Sequence, residues 1–187
     1  MRRIAATGFA IAAIAALAGC ATPGSGTPQK PQEVNRTSLP AQASAAAQAH
    51  PALGAAILEA VNDYREANNL GRLTPDANLQ RAAAVHAADM ELRGFFGHFN
   101  PDAQGPRERV LAVEPGFAGR VAENIQVVEG TSYGSMSDAA LAAVLVEKWL
   151  ESPMHRKNIR APEMTGSGIG IARRSNRIVA VQVFSGP

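Results

Sequence analysis

The stretch Gly168-Ile169-Gly170-Ile171-Ala172-Arg173-Arg174-Ser175-Asn176-Arg177-Ile178-Val179-Ala180-Val181-Gln182-Val183-Phe184 decides the fold. Two apolar, β-branched runs flank the polar triplet Arg174-Ser175-Asn176, the pattern of two antiparallel strands joined by a short turn. Ile178-Val179-Ala180-Val181 is apolar at every position rather than at alternate ones. A strand of that kind buries both faces. The hairpin therefore predicts a sheet with helices on both sides, and Val121 to Val128 adds another strand.

The helices lie upstream. Leu53, Ile57, Val61 and Tyr64 fall at helical spacing, with Asp63, Arg65 and Glu66 between them, and Gly71 closes this segment. Thr74-Pro75-Asp76 reads as a helix start, a capping hydroxyl followed by proline at the first helical position. Leu79, Ala83, His86 and Met90 line one face of that second helix, and Gly94 stops it. Pro106 to Val113 forms a short third helix. Ser137-Asp138 caps a fourth, carried by Leu141, Val144, Leu145, Lys148 and Trp149 and ended by Pro153. The expected fold class is α+β, a three-layer α-β-α sandwich with a small, mostly antiparallel sheet.

The N-terminus sets the compartment. Met1-Arg2-Arg3 is followed by the uncharged, mostly apolar run Ile4 to Ala16. That run is shorter than the roughly 20 apolar residues of a membrane span and reads as a secretory signal peptide over residues 1–19. It ends Leu17-Ala18-Gly19-Cys20, which resembles the lipobox of bacterial lipoproteins. The resemblance implies cleavage before Cys20 and acylation of its thiol, with membrane lipid as a partner. Ala21 is not aspartate, and by the usual sorting pattern that permits transfer to an outer membrane. Cys20 is the single cysteine, so no intramolecular disulfide can form. The expected location is a membrane-anchored lipoprotein facing the periplasm or the cell exterior.

Ala21 to His50 carries Pro23, Pro28, Pro31 and Pro40 and no large apolar cluster. Residues 20–50 are expected to form a lipidated, disordered tether, in which alanine-rich Ala41 to Ala49 is a candidate helix interrupted by Pro51, with the domain spanning 51–187. The chain has 18 Lys+Arg against 16 Asp+Glu, and removing Arg2 and Arg3 with the signal leaves 16 against 16. A neutral domain has no long-range field to gather phosphate backbones, which argues against a nucleic-acid partner.

Several segments then line up in order: Asn62-Asp63-Tyr64-Arg65, His86-Ala87-Ala88-Asp89-Met90, Gly94-Phe95-Phe96-Gly97-His98 with Pro101-Asp102, and Glu123-Asn124-Ile125. Trp149 with Ser152-Pro153-Met154-His155-Arg156-Lys157-Asn158-Ile159, Gly168-Ile169-Gly170 and Gln182-Val183-Phe184 complete the series. Over roughly Pro51 to Phe184 the chain resembles the SCP/CAP superfamily of cysteine-rich secretory, antigen 5 and pathogenesis-related proteins, in its bacterial, disulfide-free branch. The resemblance implies an α-β-α sandwich and a cleft built from His98, Glu123 and His155.

Two imidazoles and a carboxylate suit zinc or another divalent metal with an open position. Without metal, Glu123 can accept a hydrogen bond from a histidine and fix its tautomer. A hydrogen-bonded polar cleft floor is the plainer alternative. Animal and plant members carry a second acid shortly after the tryptophan; here Glu151 stands at a shorter offset and Glu147 on the other side, so neither matches. His86 shares a face with Leu79, Ala83 and Met90 and is expected as a hydrogen-bonded core histidine. His50 is expected in solvent, Trp149 and Phe95-Phe96 in the core, and Ser152 in a turn rather than as a nucleophile for His155. Gly166, Gly168 and Gly170 do not lead from a strand into a helix and form no phosphate loop.

Three functions follow: an envelope binding module for a lipid, an envelope component or a protein; a metal-dependent hydrolase using His98, Glu123 and His155; and a structural envelope protein with a vestigial cleft. The sequence has no metalloprotease helix motif, which favours binding over catalysis.

Overall fold

A computed structural model describes residues 34–187. The expected signal peptide and Cys20 lie outside these residues. Four strands form one sheet in the order β1-β3-β4-β2, where β1 is Thr74–Pro75, β2 Arg120–Glu129, β3 Gly166–Arg174 and β4 Arg177–Gly186. The β3–β4 hairpin turns at Ser175, which has φ 52°, and aligns Ile169 with Gln182 and Ile171 with Ala180. Strand β2 runs antiparallel along the other side of β4, and the short β1 pairs in parallel with β3.

Strand β4 divides its side chains between two cores, as its continuous apolar run requires. Ile178, Ala180 and Phe184 face α2 (Pro51–Ala67) and α6 (Asp138–Glu151), where Leu53, Ile57, Val61, Leu145 and Trp149 are buried. Val179, Val181 and Val183 face α3 (Ala77–Arg93) and α4 (Pro106–Val113), where Leu79, Ala83, Met90 and Val110 are buried. The three-layer sandwich and its mostly antiparallel sheet are therefore present. A one-turn α5 (Thr131–Gly134) and α7 (Pro153–Arg160) complete the body. Among the described residues, no helix is long and apolar enough to cross a membrane.

The glycines of β3 set the distance between layers. A Cβ on Gly168 would fall within the backbone of Leu79-Gln80, and one on Gly170 within that of Ala83-Ala84. Helix α3 rests directly on the strand, so hydrogen leaves the only space available at these positions.

Local boundaries differ from expectation in three places. Asp76, not Thr74, caps α3, its Oδ1 accepting from Asn78 N at 2.8 Å and Leu79 N at 3.0 Å. Thr74-Pro75 is instead an edge strand, where proline's missing N–H is harmless. Helix α2 ends at Ala67, and Asn69 takes the left-handed turn with φ 58°, ahead of Gly71. Pro153 ends α6 but also begins α7, because proline suits the first helical position.

The tether expectation also changes. Residues 41–46 form helix α1 (Ala41–Ala46), whose Ala43 is buried. Buried Gln104 donates from Nε2 to Asn35 O at 2.7 Å and Ser38 O at 2.9 Å. The compact unit begins near Glu33, not at residue 51. Alanine-rich sequence, too small to make a core alone, gains its burial by lying on α3. His50, expected in solvent, is half-buried at the start of α2, where burial and nearby Arg173 lower its pKa.

Two of the motif residues serve the scaffold. Buried Arg65 donates to the carbonyls of Gly71, Ile159, Ala161 and Met164 at 2.7–3.0 Å. Asn62 exchanges two bonds with the main chain of Leu73, at 3.1 and 2.8 Å. Together they tie α2 to the segments that follow α7 and precede β1.

Candidate functional site

Strand β2 is the outer strand of the sheet, and its side chains alternate between the two layers. Glu123 points with Ile125 toward α3 and α4, while Asn124 points toward α7. The candidate residues meet around this open edge.

Glu123 has a fully buried side chain with both oxygens engaged. Its Oε2 accepts from Arg109 Nη2 at 2.7 Å, and its Oε1 accepts from His98 Nδ1 at 2.9 Å. Arg109 is buried as well, and its Nη1 donates to the carbonyls of His98 at 3.0 Å and Gln104 at 2.7 Å. The same guanidinium thus fixes the carboxylate and the backbone of the histidine that binds it. Helix α4 aims Arg109 from a start at Gly105-Pro106, where Glu108 accepts the Gly105 N–H at 3.1 Å.

The loop carrying His98 is held from within. Asn100 Oδ1 accepts from Asp102 N and Gln104 N, and Asn100 Nδ2 donates to Gln104 Oε1 at 3.0 Å. His98 itself is 44% exposed. Burial opposes ionisation of Glu123, but the Arg109 charge, the His98 hydrogen bond and nearby His86 outweigh it and hold the carboxyl below its ordinary range. An ionised carboxylate can only accept, so Nδ1 of His98 carries the proton and Nε2 faces outward.

His86 belongs to this cluster as well as to the core. It is fully buried on α3, and its Nε2 lies 2.9 Å from Gly97 O and 3.9 Å from Glu123 Oε1. Burial and the Arg109 charge lower its pKa to about 4, against the opposing pull of Glu123, Gly97 O and Asp89. It is therefore neutral near pH 7. Phe95 packs on its ring at 5.9 Å between centroids, whereas Phe96, expected in the core, is 48% exposed.

His155 arrives from the other layer. Asn124 Nδ2 donates to His155 O at 3.1 Å, and Asn158 Nδ2 donates to Glu123 O at 3.1 Å and Asn124 Oδ1 at 2.9 Å. These amides fasten α7 to the edge of β2. The half-buried imidazole has its pKa lowered by burial and by neighbouring His98, and its Nδ1 has no partner among the described residues. The two histidines straddle the strand, but the Glu123 carboxylate reaches only His98.

The two oxygens of Glu123 are committed, with a guanidinium beside them, and no group of three or more His, Cys, Asp or Glu among the described residues is placed to hold a metal ion. Glu147 and Glu151 lie exposed on α6, beside Arg156, in a surface cavity of about 570 Å³. Ser152 forms the junction of α6 and α7 with no capping bond from its side chain. Arg109 is the residue missed from sequence, where it reads as one charge among Arg107 and Glu108 on a short surface helix.

Comparison with known proteins matches this architecture. YkwD of Bacillus subtilis strain 168 is 28% identical over 115 residues, 61% of this chain and 40% of that protein. An extracellular protein containing a SCP domain from Bacillus anthracis strain Ames superposes with a TM-score of 0.59 at 26% identity, over 72% of this chain and 40% of that one. The chain thus spans well under half the length of either. An outer surface protein from Borrelia burgdorferi gives a TM-score of 0.59 over 70% of this chain and 89% of its own, and at 18% identity the likeness is one of fold. Residues 58–184 match the model of the cysteine-rich secretory protein family. The described domain contains no cysteine, so the fold is held by packing and by buried networks such as that of Arg65. The chain belongs to the cysteine-rich secretory protein (CAP) family.

Proposed function

We propose that this chain is an exported binding module, anchored through acylated Cys20, that takes its ligand at the open sheet edge between His98 and His155. The observation carrying this reading is that the two carboxylate oxygens of Glu123 are already bonded to Arg109 and His98, with the side chain fully buried. Glu123 is therefore not free to serve as the base or nucleophile of a hydrolase. Glu123 acts instead as an orienting acceptor that turns the outer nitrogen of His98 toward solvent. His155, from the opposite layer, supplies the second wall. Such a pair of imidazoles can recognise a polar headgroup or an envelope component by hydrogen bonding. Relatives described as extracellular or as outer surface proteins support export, and Leu17 to Cys20 supports the lipid anchor.

Native mass spectrometry of the mature chain, purified from its own envelope, tests the reading. The wild type should retain a small molecule that His98→Ala/His155→Ala loses. A wild type that carries nothing, yet cleaves envelope glycan or ester substrates in a His155-dependent manner, would replace binding by catalysis.

A further inference from the structure

The described residues leave four large apolar side chains strongly exposed: Leu92, Phe96, Phe99 and Met154. Three of them belong to the site edge. Phe96 and Phe99 flank His98 in the loop, and Met154 adjoins His155 on α7. Their exposures are 48%, 66% and 71%. Exposed apolar groups from both helical layers therefore adjoin, along the chain, the two histidines that straddle β2.

The course of the chain says what covers them. The Phe99 ring lies against Gly105, where an added Cβ would stand 2.8 Å from it. The neighbouring residue, Gln104, is the one that holds Asn35 and Ser38. The described chain thus enters the domain beside Phe99. From Asn35 back to Cys20 are fifteen residues, a covalent reach of at most about 50 Å. Helix α7, which carries Met154, also bears Lys157 and Arg160 exposed, with Arg156 set beside Glu147 and Glu151 of α6, and the exposed basic pair favours an anionic surface. Aromatic and apolar side chains over a basic, polar edge are the composition of a surface lying in the headgroup region of a bilayer.

We propose that the edge bearing Phe96, Phe99 and Met154 is a membrane-contacting surface, which lays the strand edge between His98 and His155 against the lipid headgroups. The proposal rests on the anchored reading above and specifies the orientation of the domain. Two rings and one thioether bind a membrane only weakly alone, so the contact adds to the acyl anchor and sets which face is turned to the bilayer.

The test uses the mature chain from residue 20 with Cys20→Ser, so that no acyl group contributes, and vesicles of phosphatidylethanolamine with phosphatidylglycerol. The unlipidated chain should float with these vesicles weakly but measurably. Phe96→Ser/Phe99→Ser should lower its partition by about tenfold, the effect of withdrawing two exposed rings from the interface. Leu92→Ser, on α3 where the side chain lines a cavity with Ala46, Gln48 and His50, should change it less than about twofold. Near-UV circular dichroism checks that both variants remain folded. Absence of flotation, or equal loss from Leu92→Ser, overturns the membrane-facing edge. So does a wild type whose Phe96 and Phe99 are buried in a dimer without vesicles. Alkaline extraction of cells expressing wild type or Cys20→Ser tests the anchor separately: if Cys20→Ser stays with the membrane while flotation depends on Phe96 and Phe99, the anchor reading fails and the edge stands.

Discussion

Acidification should destabilise the domain through His86, and the structure gives the size of the effect. The imidazole is fully buried on α3, beside the Arg109 guanidinium, and its pKa falls from 6.5 to about 4. In the unfolded chain the ring takes up a proton as pH drops through 6.5, while the folded protein keeps it neutral until about 4. The unfolded state therefore binds more protons across that window, so stability is lost as pH falls through it. A depression from 6.5 to about 4 corresponds to roughly 3 kcal/mol at about 1.36 kcal/mol per unit. Glu123, held below its ordinary range, adds a further loss in the same direction at lower pH. His86→Gln retains a donor for Gly97 O and removes the titration. Urea unfolding of the mature chain at pH values between about 7 and 4 should show the wild type losing about 3 kcal/mol more than His86→Gln. Parallel pH profiles for the two proteins would refute the assignment of His86 as a buried, neutral ring.

Three further outcomes concern the scaffold. Gly170→Ala places a methyl group in the α3 backbone and should cost at least about 1–3 kcal/mol, read by thermal or urea unfolding; a neutral effect would mean that α3 does not rest on β3. Arg65→Met leaves the carbonyls of Gly71, Ile159, Ala161 and Met164 without their donor and should cost about 3 kcal/mol or more by the same measurement. Deleting residues 21–50 exposes the α3 surface under Ala43 and strips Gln104 of two acceptors, at about 1–3 kcal/mol, or roughly 5 °C in melting temperature. An unchanged melting temperature would return the domain boundary to residue 51.

The sandwich was legible because β4 is apolar at successive positions and the helices carry clear periodic faces. Local chemistry was readable wherever its partner lay nearby in sequence, as with Ser137 capping α6. What failed depended on distant partners. Residues 34–50 look unable to fold because their acceptors serve Gln104, which lies far along the chain. Pro153 reads as a stop, yet it is also a start, and only the tertiary path decides which.

The site was half legible. His98, Glu123 and His155 could be named from the resemblance, and Glu123 as hydrogen-bond partner of a histidine was one of the alternatives left open. Strand alternation on β2 determines that Glu123 serves the His98 side while His155 comes from the other layer, and that could be seen only once β2 was known to be the edge strand. Arg109 was hidden because its burial is produced by a carboxylate from another element. His86 fits its expected core position, but the core it enters includes the ion pair of the site.

The most direct test of the central claim, that Glu123 is an internal acceptor orienting His98, is the protonation pattern of the His98 ring. Long-range ¹⁵N–¹H correlation of histidine-labelled protein distinguishes the two tautomers. The neutral His98 ring should carry its proton on Nδ1, donated to Glu123, and should lose that preference in Glu123→Gln. A neutral ring with its proton on Nε2 in the wild type, or a tautomer indifferent to Glu123→Gln, would contradict the account.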